Sequence, residues 1–243
     1  MTYGVAIKVN GGLVFASDSR SNAGVDHVSV YSKMHVFARP QGRLFVLLTA
    51  GNLATSQAVV NQVQRDLEDP EVEVDLDTVR HLSDAAQYLG NISCRIQERY
   101  ADALKRSGDT VEATFILGGQ LPGQLHEIYL IYAQGNYISA SADTPYLQIG
   151  ETKYGKPILD RVIAPETSLE DAARCALVSL DSTIRSNISV GPPFELAVYL
   201  KDHETLSHYL SLKLESPLYS SLQKRWNEGL RRAFDRLPRF DWE

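Results

Sequence analysis

The chain has 243 residues, 44% of them hydrophobic and 22% charged, and a formal net charge of −6. This length and composition predict a single domain over residues 1–243 with a substantial core. The acidic balance and the lack of a basic stripe exclude a nucleic-acid-binding surface. There is no apolar run of about 18 residues, so we expect no membrane contact. The chain has no secretory signal pattern, and Cys94 and Cys175 are expected to be reduced, so we predict a cytoplasmic protein.

The first fifty residues predict two β-hairpins. Apolar residues alternate with period 2 from Tyr3 to Val9, as in a half-buried strand. Asn10-Gly11-Gly12 predicts a turn, because these residues tolerate positive φ, and a second strand then runs from Leu13 to Ser19. The second hairpin has strands at 33–38 and 43–50 around a turn at 39–42. We therefore expect four strands before Gly51.

The rest of the chain alternates between blocks of helices and blocks of strands. Helices are predicted at 53–67, 79–104 (ended by Ser107-Gly108-Asp109), 154–162, 169–185 and 217–236. Strands are predicted at 113–118, 127–133, 137–140, around Leu147, 194–201 and 207–214. Segregated blocks of this kind favour antiparallel sheets over a βαβ fold. The predicted fold class is α+β, a four-layer αββα sandwich with two stacked antiparallel sheets between helical layers.

The register of the first hairpin decides which side chains lie near Thr2. A three-residue loop over 10–12 places Thr2 opposite Arg20 and makes Asp18 its diagonal neighbour, within about 7–8 Å. A two-residue loop instead places Ser17 and Ser19 on the face of Thr2. The sequence leaves both registers open.

Thr2 follows the initiator methionine, and a small side chain at this position permits removal of Met1. The new N-terminal threonine then carries both a hydroxyl and a free α-amine, whose unperturbed pKa is about 7.7–8.0. Such an amine can accept a proton at neutral pH and serve as the base for its own hydroxyl. Thr2 is therefore our candidate nucleophile and base.

Three other residues complete this hypothesis. Lys33 starts the third predicted strand and would supply a nearby ammonium, and Asp18 would be its counter-ion. Gly51 lies at a strand-to-helix turn, where a backbone N–H can stabilise an oxyanion. Taken singly, Asp18 with Arg20 also fits a surface ion pair, and Lys33 fits a solvated strand-end lysine. The hypothesis depends on the combination.

Together these residues resemble a proteasome β-subunit. The shared features are Thr2 before an alternating strand, Ala16-Ser17-Asp18-Ser19-Arg20, Lys33, and Thr49-Ala50-Gly51 before a helix. Four segments look closer to Anbu, the bacterial ancestral β-subunit branch: Thr2-Tyr3, Arg20 to Asp26, Lys33-Met34-His35, and Gln148 to Gly155. The resemblance implies the N-terminal-nucleophile hydrolase fold and threonine-type peptide-bond hydrolysis. It also implies a ring or open-ring homo-oligomer that takes peptide or protein substrates, and it leaves an ATP-driven unfoldase partner open.

The same resemblance assigns further site residues and shows two departures. β-subunits usually have Gly-Ser-Gly where this chain has Gly150-Glu151, and an aspartate and a serine three residues apart where it has Ser186 and Ser189. The serine of Ser189 is kept as a catalytic position and Ser186 as support, together with Arg20, but the acid is absent. The implied specificity pocket is uncharged and mid-sized, and its lining residues are Ser21, Tyr31, His35, Thr49 and Leu53.

Other chemistries have less support. The histidines show no metal-ligand spacing, and no phosphate-binding loop or dinucleotide fingerprint is present, so we expect no metal and no cofactor. Two alternatives keep the fold: an amidohydrolase or acyl transferase acting on a small amide, and a catalytically weak ring-forming scaffold.

The last predicted helix has a regular apolar stripe followed by an aromatic tail. Its large apolar residues recur every four positions, and two more follow: Leu218, Leu222, Trp226, Leu230, Phe234, Phe240 and Trp242. This pattern fits packing on the chain's own sheet or contact with another subunit. For the second interpretation, truncation after Pro217 is expected to release monomers.

Overall fold

The computed structural model describes residues 1–22, 28–107 and 110–242. In chain order the strands are β1 (Tyr3–Val9), β2 (Gly12–Asp18), β3 (Arg20–Asn22), β4 (Val28–Val30), β5 (Met34–Arg39), β6 (Arg43–Gly51), β7 (Ala113–Gln120), β8 (Glu127–Ile131), β9 (Tyr137–Ser139), β10 (Tyr146–Gly150), β11 (Phe194–Leu200) and β12 (His208–Leu212). The helices are α1 (Leu53–Glu68), α2 (Leu82–Ser107), α3 (Lys156–Val162), α4 (Leu169–Ser186) and α5 (Pro217–Asp235). Part of the predicted Arg20 to Asp26 motif, and the predicted helix end at Gly108-Asp109, lie outside the described residues.

Most strands belong to two antiparallel sheets. The first sheet has the order β10-β1-β2-β11-β12, and the second has the order β5-β6-β7-β8-β9. Sequence neighbours usually pair, but β2 pairs with β11 and β1 pairs with β10, so the first sheet is closed by long-range contacts. The short strands β3 and β4 form a separate hairpin.

Three apolar layers hold these elements together. The first layer joins the outer face of the first sheet to helices α3 and α4 through residues such as Val5 and Leu180. The second joins the outer face of the second sheet to α1 and α2, for example through Phe115 and Leu89. The third lies between the two sheets and includes Phe15. The predicted α+β sandwich of two sheets between helical layers is confirmed.

The first hairpin has a two-residue loop. Val9 pairs with Gly12 and Gly4 with Ser17, so Ser19, not Arg20, lies opposite Thr2 when the register is extended. The three-residue alternative is therefore wrong. Gly12 cannot be replaced easily in this register, because an added Cβ would lie 2.0 Å from the carbonyl oxygen of Tyr199 in the adjacent strand.

The number of strands and several element boundaries differ from the predictions; for example, β5 begins at Met34, so Lys33 precedes this strand and does not start it. The first fifty-one residues contain β3 and β4 in addition to the four strands expected, because Arg20 to Asn22 folds back on Val28 to Val30. Helix α2 begins at Leu82, not at residue 79, although Val79 is buried against it. Helix α3 begins at Lys156, with proline in its first turn, two residues after the predicted start.

Candidate active site

Two charged side chains meet where the two sheets end. Asp18 is the last residue of β2 in the first sheet, and Lys33 directly precedes β5 in the second. Lys33 Nζ lies 2.7 Å from Asp18 Oδ1, and the residues are only 4% and 0% exposed. The expected ion pair is present, and it links the two sheets at this end of the sandwich.

The polar atoms of this pair are bound on several sides. Lys33 Nζ also donates to the carbonyl oxygen of Arg20 at 2.6 Å. Asp18 accepts from the backbone N–H of Tyr3 at 3.0 Å and from the N–H of Gly191 at 3.1 Å. Asp18 therefore reaches the start of β1 through the backbone next to Thr2, and not through the diagonal side-chain contact that the three-residue loop implied.

Burial and attraction act in opposite directions on this pair. Burial raises the pKa of the Asp18 carboxyl, and the adjacent Lys33 ammonium opposes that shift. Burial likewise lowers the pKa of the Lys33 ammonium, and Asp18 opposes it. Each charge is therefore the main compensation for the other, and removal of either one leaves an uncompensated buried charge.

Thr2 lies beside this pair and its backbone is held by the edge strand. Thr2 is 8% exposed, and its carbonyl oxygen accepts from the N–H of Glu151 at 2.7 Å. Gly150 packs so closely on Thr2 that an added Cβ would lie 2.0 Å from this carbonyl, and its φ is +80°. The glycine thus permits a close backbone approach that fixes the threonine.

The α-amine of Met1 interacts electrostatically with both Lys33 and Asp18. Burial lowers the pKa of the Met1 α-ammonium, Lys33 lowers it further, and Asp18 opposes the shift. The Met1 side chain extends outward and is largely exposed. The Met1 α-amine therefore binds its proton less tightly than a fully solvated N-terminal amine does.

Gly51 lies close to Lys33 in the second sheet. The N–H of Thr49 donates to the carbonyl oxygen of Lys33 at 2.9 Å, which places the end of β6 beside the lysine. Gly51 has φ of +99°, and Asn52 then caps α1 by accepting from the N–H of Thr55. Gly51 thus forms the strand-to-helix turn that the sequence predicted.

The predicted pocket residues lie around this strand end at different depths. Thr49 is buried, Tyr31 is exposed with its N–H bonded to the carbonyl of Ser19, and Leu53 is the first residue of α1. His35 is half-buried on β5, where burial lowers its pKa and the Glu195 carboxylate opposes this shift. Ser21 is half-buried on β3.

The predicted supporting residues occupy the loop after α4 and its neighbour. Arg20 donates through its guanidinium to the carbonyl of Ile188 at 2.7 Å. Ser189 follows this contact, and its N–H donates to Asn187 Oδ1 at 2.9 Å. Ser186 is exposed at the last position of α4. Arg20 therefore binds the α4 loop, and it does not pair with Asp18 as the surface-pair interpretation suggested.

Two carboxylates near this site were not predicted. Glu151 is buried, and its Oε2 accepts from Asn187 Nδ2 at 3.0 Å; the same nitrogen lies 4.0 Å from Met1 Sδ. Glu195 is buried on β11 and is bound by Ser32 and Tyr209. For Glu151 the sequence did contain a signal: it directly follows Gly150, where β-subunits usually have a serine.

The other sequence-level features show no competing site. Among the described residues, no group of three or more His, Cys, Asp or Glu side chains is arranged to hold a metal ion. Both cysteines are free, and burial raises the pKa of the Cys175 thiol to about 12. In the part of the chain that the structure describes, no helix is long and apolar enough to cross a membrane.

Comparison with known proteins places this geometry in a family. The chain matches no protein-family model, and no curated protein matches it. Solved structures do match, and the sandwich with a threonine at the start of its first strand belongs to the proteasome-like N-terminal-nucleophile hydrolase fold. Anbu (ancestral beta-subunit) from Yersinia bercovieri is 43% identical over 99% of this chain and 100% of that chain, with a TM-score of 0.92.

Two further structures agree with this match. A helical assembly of the Anbu complex from Pseudomonas aeruginosa is 43% identical over 99% of this chain and 98% of that chain, with a TM-score of 0.91. An Anbu (Gly-1) mutant from Hyphomicrobium sp. strain MC1 is 40% identical over 99% and 100% of the two chains, with a TM-score of 0.91. The chain belongs to the Anbu family.

Proposed function

We propose that this chain is a threonine-type peptidase whose nucleophile is Thr2 after removal of Met1. The observation that carries the proposal is the buried Lys33–Asp18 pair, which is bonded to the backbone next to Thr2. A buried ammonium–carboxylate pair is costly to maintain, so its position near a prospective N-terminal threonine favours a chemical role.

The proposed reaction proceeds through an acyl-enzyme. The neutral α-amine of Thr2 takes the proton from Thr2 Oγ1 while this oxygen bonds to the carbonyl carbon of the scissile peptide. The negative charge moves to the carbonyl oxygen, where the N–H of Gly51 stabilises it, and the Lys33 ammonium stabilises the threonine oxygen. The C–N bond then breaks, and the leaving amine receives the proton from the α-ammonium. Water attacks the ester by the same route and restores Thr2.

The residues after α4 take a supporting role in this proposal. Glu151 and Asn187 line the space beside the Met1 side chain, so they would face the substrate side of the new N-terminus once Met1 is gone. A carboxylate is therefore available next to the site, although it comes from the end of β10 and not from the α4 loop, where β-subunits carry their acid. Ser189 would complete this group through the backbone of the same loop.

We also propose that the chain acts as a cytoplasmic homo-oligomer on peptide or protein substrates. A helical assembly is described for the Anbu complex of Pseudomonas aeruginosa. In this chain, α5 and the residues after it expose large apolar side chains, including Phe234, Phe240 and Trp242. These residues would be covered by a second copy of the chain.

Covalent labelling tests the peptidase proposal. The purified protein is treated with an N-terminal-threonine inhibitor, such as a β-lactone or epoxyketone, and its intact mass is measured. We expect a mass lacking Met1 and one adduct, and no adduct for Thr2→Ala. The control Thr205→Ala alters an exposed threonine in another loop and should label like the wild type. Retention of Met1, or equal labelling of Thr2→Ala, would refute the proposal.

A further inference from the structure

A second buried carboxylate, that of Glu195, is bound by Ser32, the residue directly before Lys33. Glu195 is the second residue of β11 in the first sheet, where it pairs with Ser17 of β2 and Ser211 of β12. Ala197, two residues along the same strand, belongs to the apolar layer between the sheets. Because alternate residues of a strand share a face, the Glu195 side chain also points between the sheets, toward β5.

This carboxylate is bound by hydroxyl groups from two other elements. Tyr209 of β12 donates to Glu195 Oε1 at 2.5 Å. Ser32 Oγ lies 2.9 Å from both carboxylate oxygens. A buried carboxylate with such partners has little freedom to move, so its position and that of Ser32 are mutually fixed.

Ser32 connects this carboxylate to the residue that carries the ammonium. Its hydroxyl also lies 2.9 Å from the carbonyl oxygen of Met34 and accepts from the N–H of Met34 at 3.3 Å. Lys33 is the residue between Ser32 and Met34, in the segment that precedes β5. The contacts of Ser32 therefore hold the backbone on both sides of Lys33.

We propose that Glu195 is a positioning residue for Lys33, which fixes through Ser32 the segment that carries this lysine and adds a second negative charge at the same end of the first sheet as Asp18. The proposal rests on the proposed function in that Lys33 is taken to act on Thr2. The contacts that run from Tyr209 through Glu195 and Ser32 to the Lys33 segment do not depend on catalysis.

The charges around Lys33 support this role. Burial lowers the pKa of Lys33, whereas Asp18 and, more weakly, Glu195 raise it, and Arg20 adds to the lowering. The charge of Glu195 also acts on His35, whose pKa burial lowers. A carboxylate that only filled space between the sheets would be replaceable by its amide, because the amide oxygen of a glutamine side chain would still accept hydrogen bonds from Ser32 and Tyr209.

The test is therefore Glu195→Gln, with the ionisation of Lys33 as the readout. Protein labelled with ¹³C at lysine Cε is titrated, and the Lys33 resonance is assigned with Lys33→Arg. In Glu195→Gln we expect the Lys33 midpoint to fall, because a carboxylate whose charge raises the pKa of this ammonium is gone. The same comparison in a His35→Gln background removes one further titratable group on which the charge of Glu195 acts, and Tyr209, which donates to Glu195, is kept in both proteins.

Labelling of Thr2 gives a second, functional readout. We expect the alkaline limb of the labelling rate to move to lower pH in Glu195→Gln, and Glu195→Asp to recover part of the shift. The matched control is Glu127→Gln, which removes a carboxylate that binds Lys8 at 2.6 Å, six residues along β1 from Thr2. This control should leave both readouts unchanged.

The two readouts separate failure of this inference from failure of the peptidase proposal. An unchanged Lys33 midpoint in Glu195→Gln, or a change equal to that of Glu127→Gln, overturns the role of Glu195. A lower midpoint in a protein that is never labelled at Thr2 supports the Glu195–Lys33 link and contradicts the peptidase assignment instead.

Discussion

The Thr2 site and helix α5 both depart from the usual burial of side chains. The Thr2 site buries charged side chains, whereas α5 exposes apolar ones. At the Thr2 site, Asp18 and Lys33 are buried although they are charged, and their partners lie within the chain. Along α5 and its tail, Phe234 and Trp242 are apolar but 73% and 76% exposed. A buried charge needs a specific partner, whereas an exposed apolar surface needs only coverage. In the proposed function, the first region supplies the chemistry and the second region supplies the contact between copies of the chain.

The largest effect is expected when the buried ammonium of Lys33 is removed. Lys33→Met leaves the Asp18 carboxylate buried without its cation, so we expect a loss of about 3–5 kcal/mol in the free energy of unfolding. We also expect no labelling of Thr2. Denaturant unfolding measures the first effect, and intact mass measures the second.

The control for this change is an exposed lysine with an acidic neighbour. Lys153 Nζ lies 3.9 Å from Glu151, but its side chain is 77% exposed. Lys153→Met should therefore cost less than about 1 kcal/mol. An equal loss in the free energy of unfolding for the two variants would show that burial of the Lys33–Asp18 pair does not make it more important for stability.

The second prediction concerns α5 and its tail. It uses a later truncation point than the one after Pro217 that the sequence suggested. Tyr219 is fully buried, packs on Phe194, and donates to Asp181 at 3.1 Å, so truncation after Pro217 would also remove part of the core. Truncation after Asn227 keeps these contacts and removes Leu230, Phe234 and the tail. We expect smaller assemblies by light scattering.

Point variants control for loss of the helix itself. Leu230→Ser and Phe234→Ser remove two exposed apolar side chains, and if they lie in an interface each should cost about 2 kcal/mol of association. Asp235→Ser, on the same helix, should leave the assembly unchanged. Assembly that withstands the truncation after Asn227 and both apolar substitutions would place the subunit contact elsewhere.

The third prediction compares one glycine from each region. An alanine at Gly51 would adopt φ of +99° and bring its Cβ within 2.4 Å of the Glu112 carbonyl oxygen, whereas nothing lies within 4 Å of a Cβ at Gly229 in α5. We expect Gly51→Ala to destabilise the fold by about 1–3 kcal/mol and to slow labelling. Gly229→Ala should stabilise it by up to about 1 kcal/mol. Effects of the same sign would contradict the assigned backbone conformations.

Local patterns predicted the fold well because they depend on near neighbours. Alternation located β1, and the helical stripes located α1, α2, α4 and α5 within a few residues. The register of the first hairpin was not determined, because Asn10-Gly11-Gly12 permits two loop lengths. The additional hairpin of β3 and β4 was missed because its strands have only three residues each.

The site was only partly predictable for a similar reason. Asp18 and Lys33 are close in sequence, and their charges suggested a pair. Glu195 and Glu151 reach the site only because β2 pairs with β11 and β1 pairs with β10. These strand pairings join residues more than 100 positions apart, and periodicity carries no information about such partners.

The smallest expected effect is a pH dependence at the edge of the Thr2 site. Burial holds the pKa of His35 below its usual value of about 6.5. As pH falls below that value, the unfolded chain binds a proton while native His35 stays neutral, so the native state loses stability toward acid. The loss continues down to the native pKa and is absent at higher pH, where both states are neutral.

The corresponding measurement is the thermal midpoint at about pH 7.5 and about pH 5.5, on either side of the usual histidine pKa. His35→Gln should reduce the difference between the two values, and His203→Gln, at an exposed histidine near β12, should not. Because the Glu195 charge opposes the shift of His35, Glu195→Gln should enlarge the difference. An unchanged difference in Glu195→Gln would mean that the Glu195 charge does not act on His35, and would also count against its assigned action on Lys33.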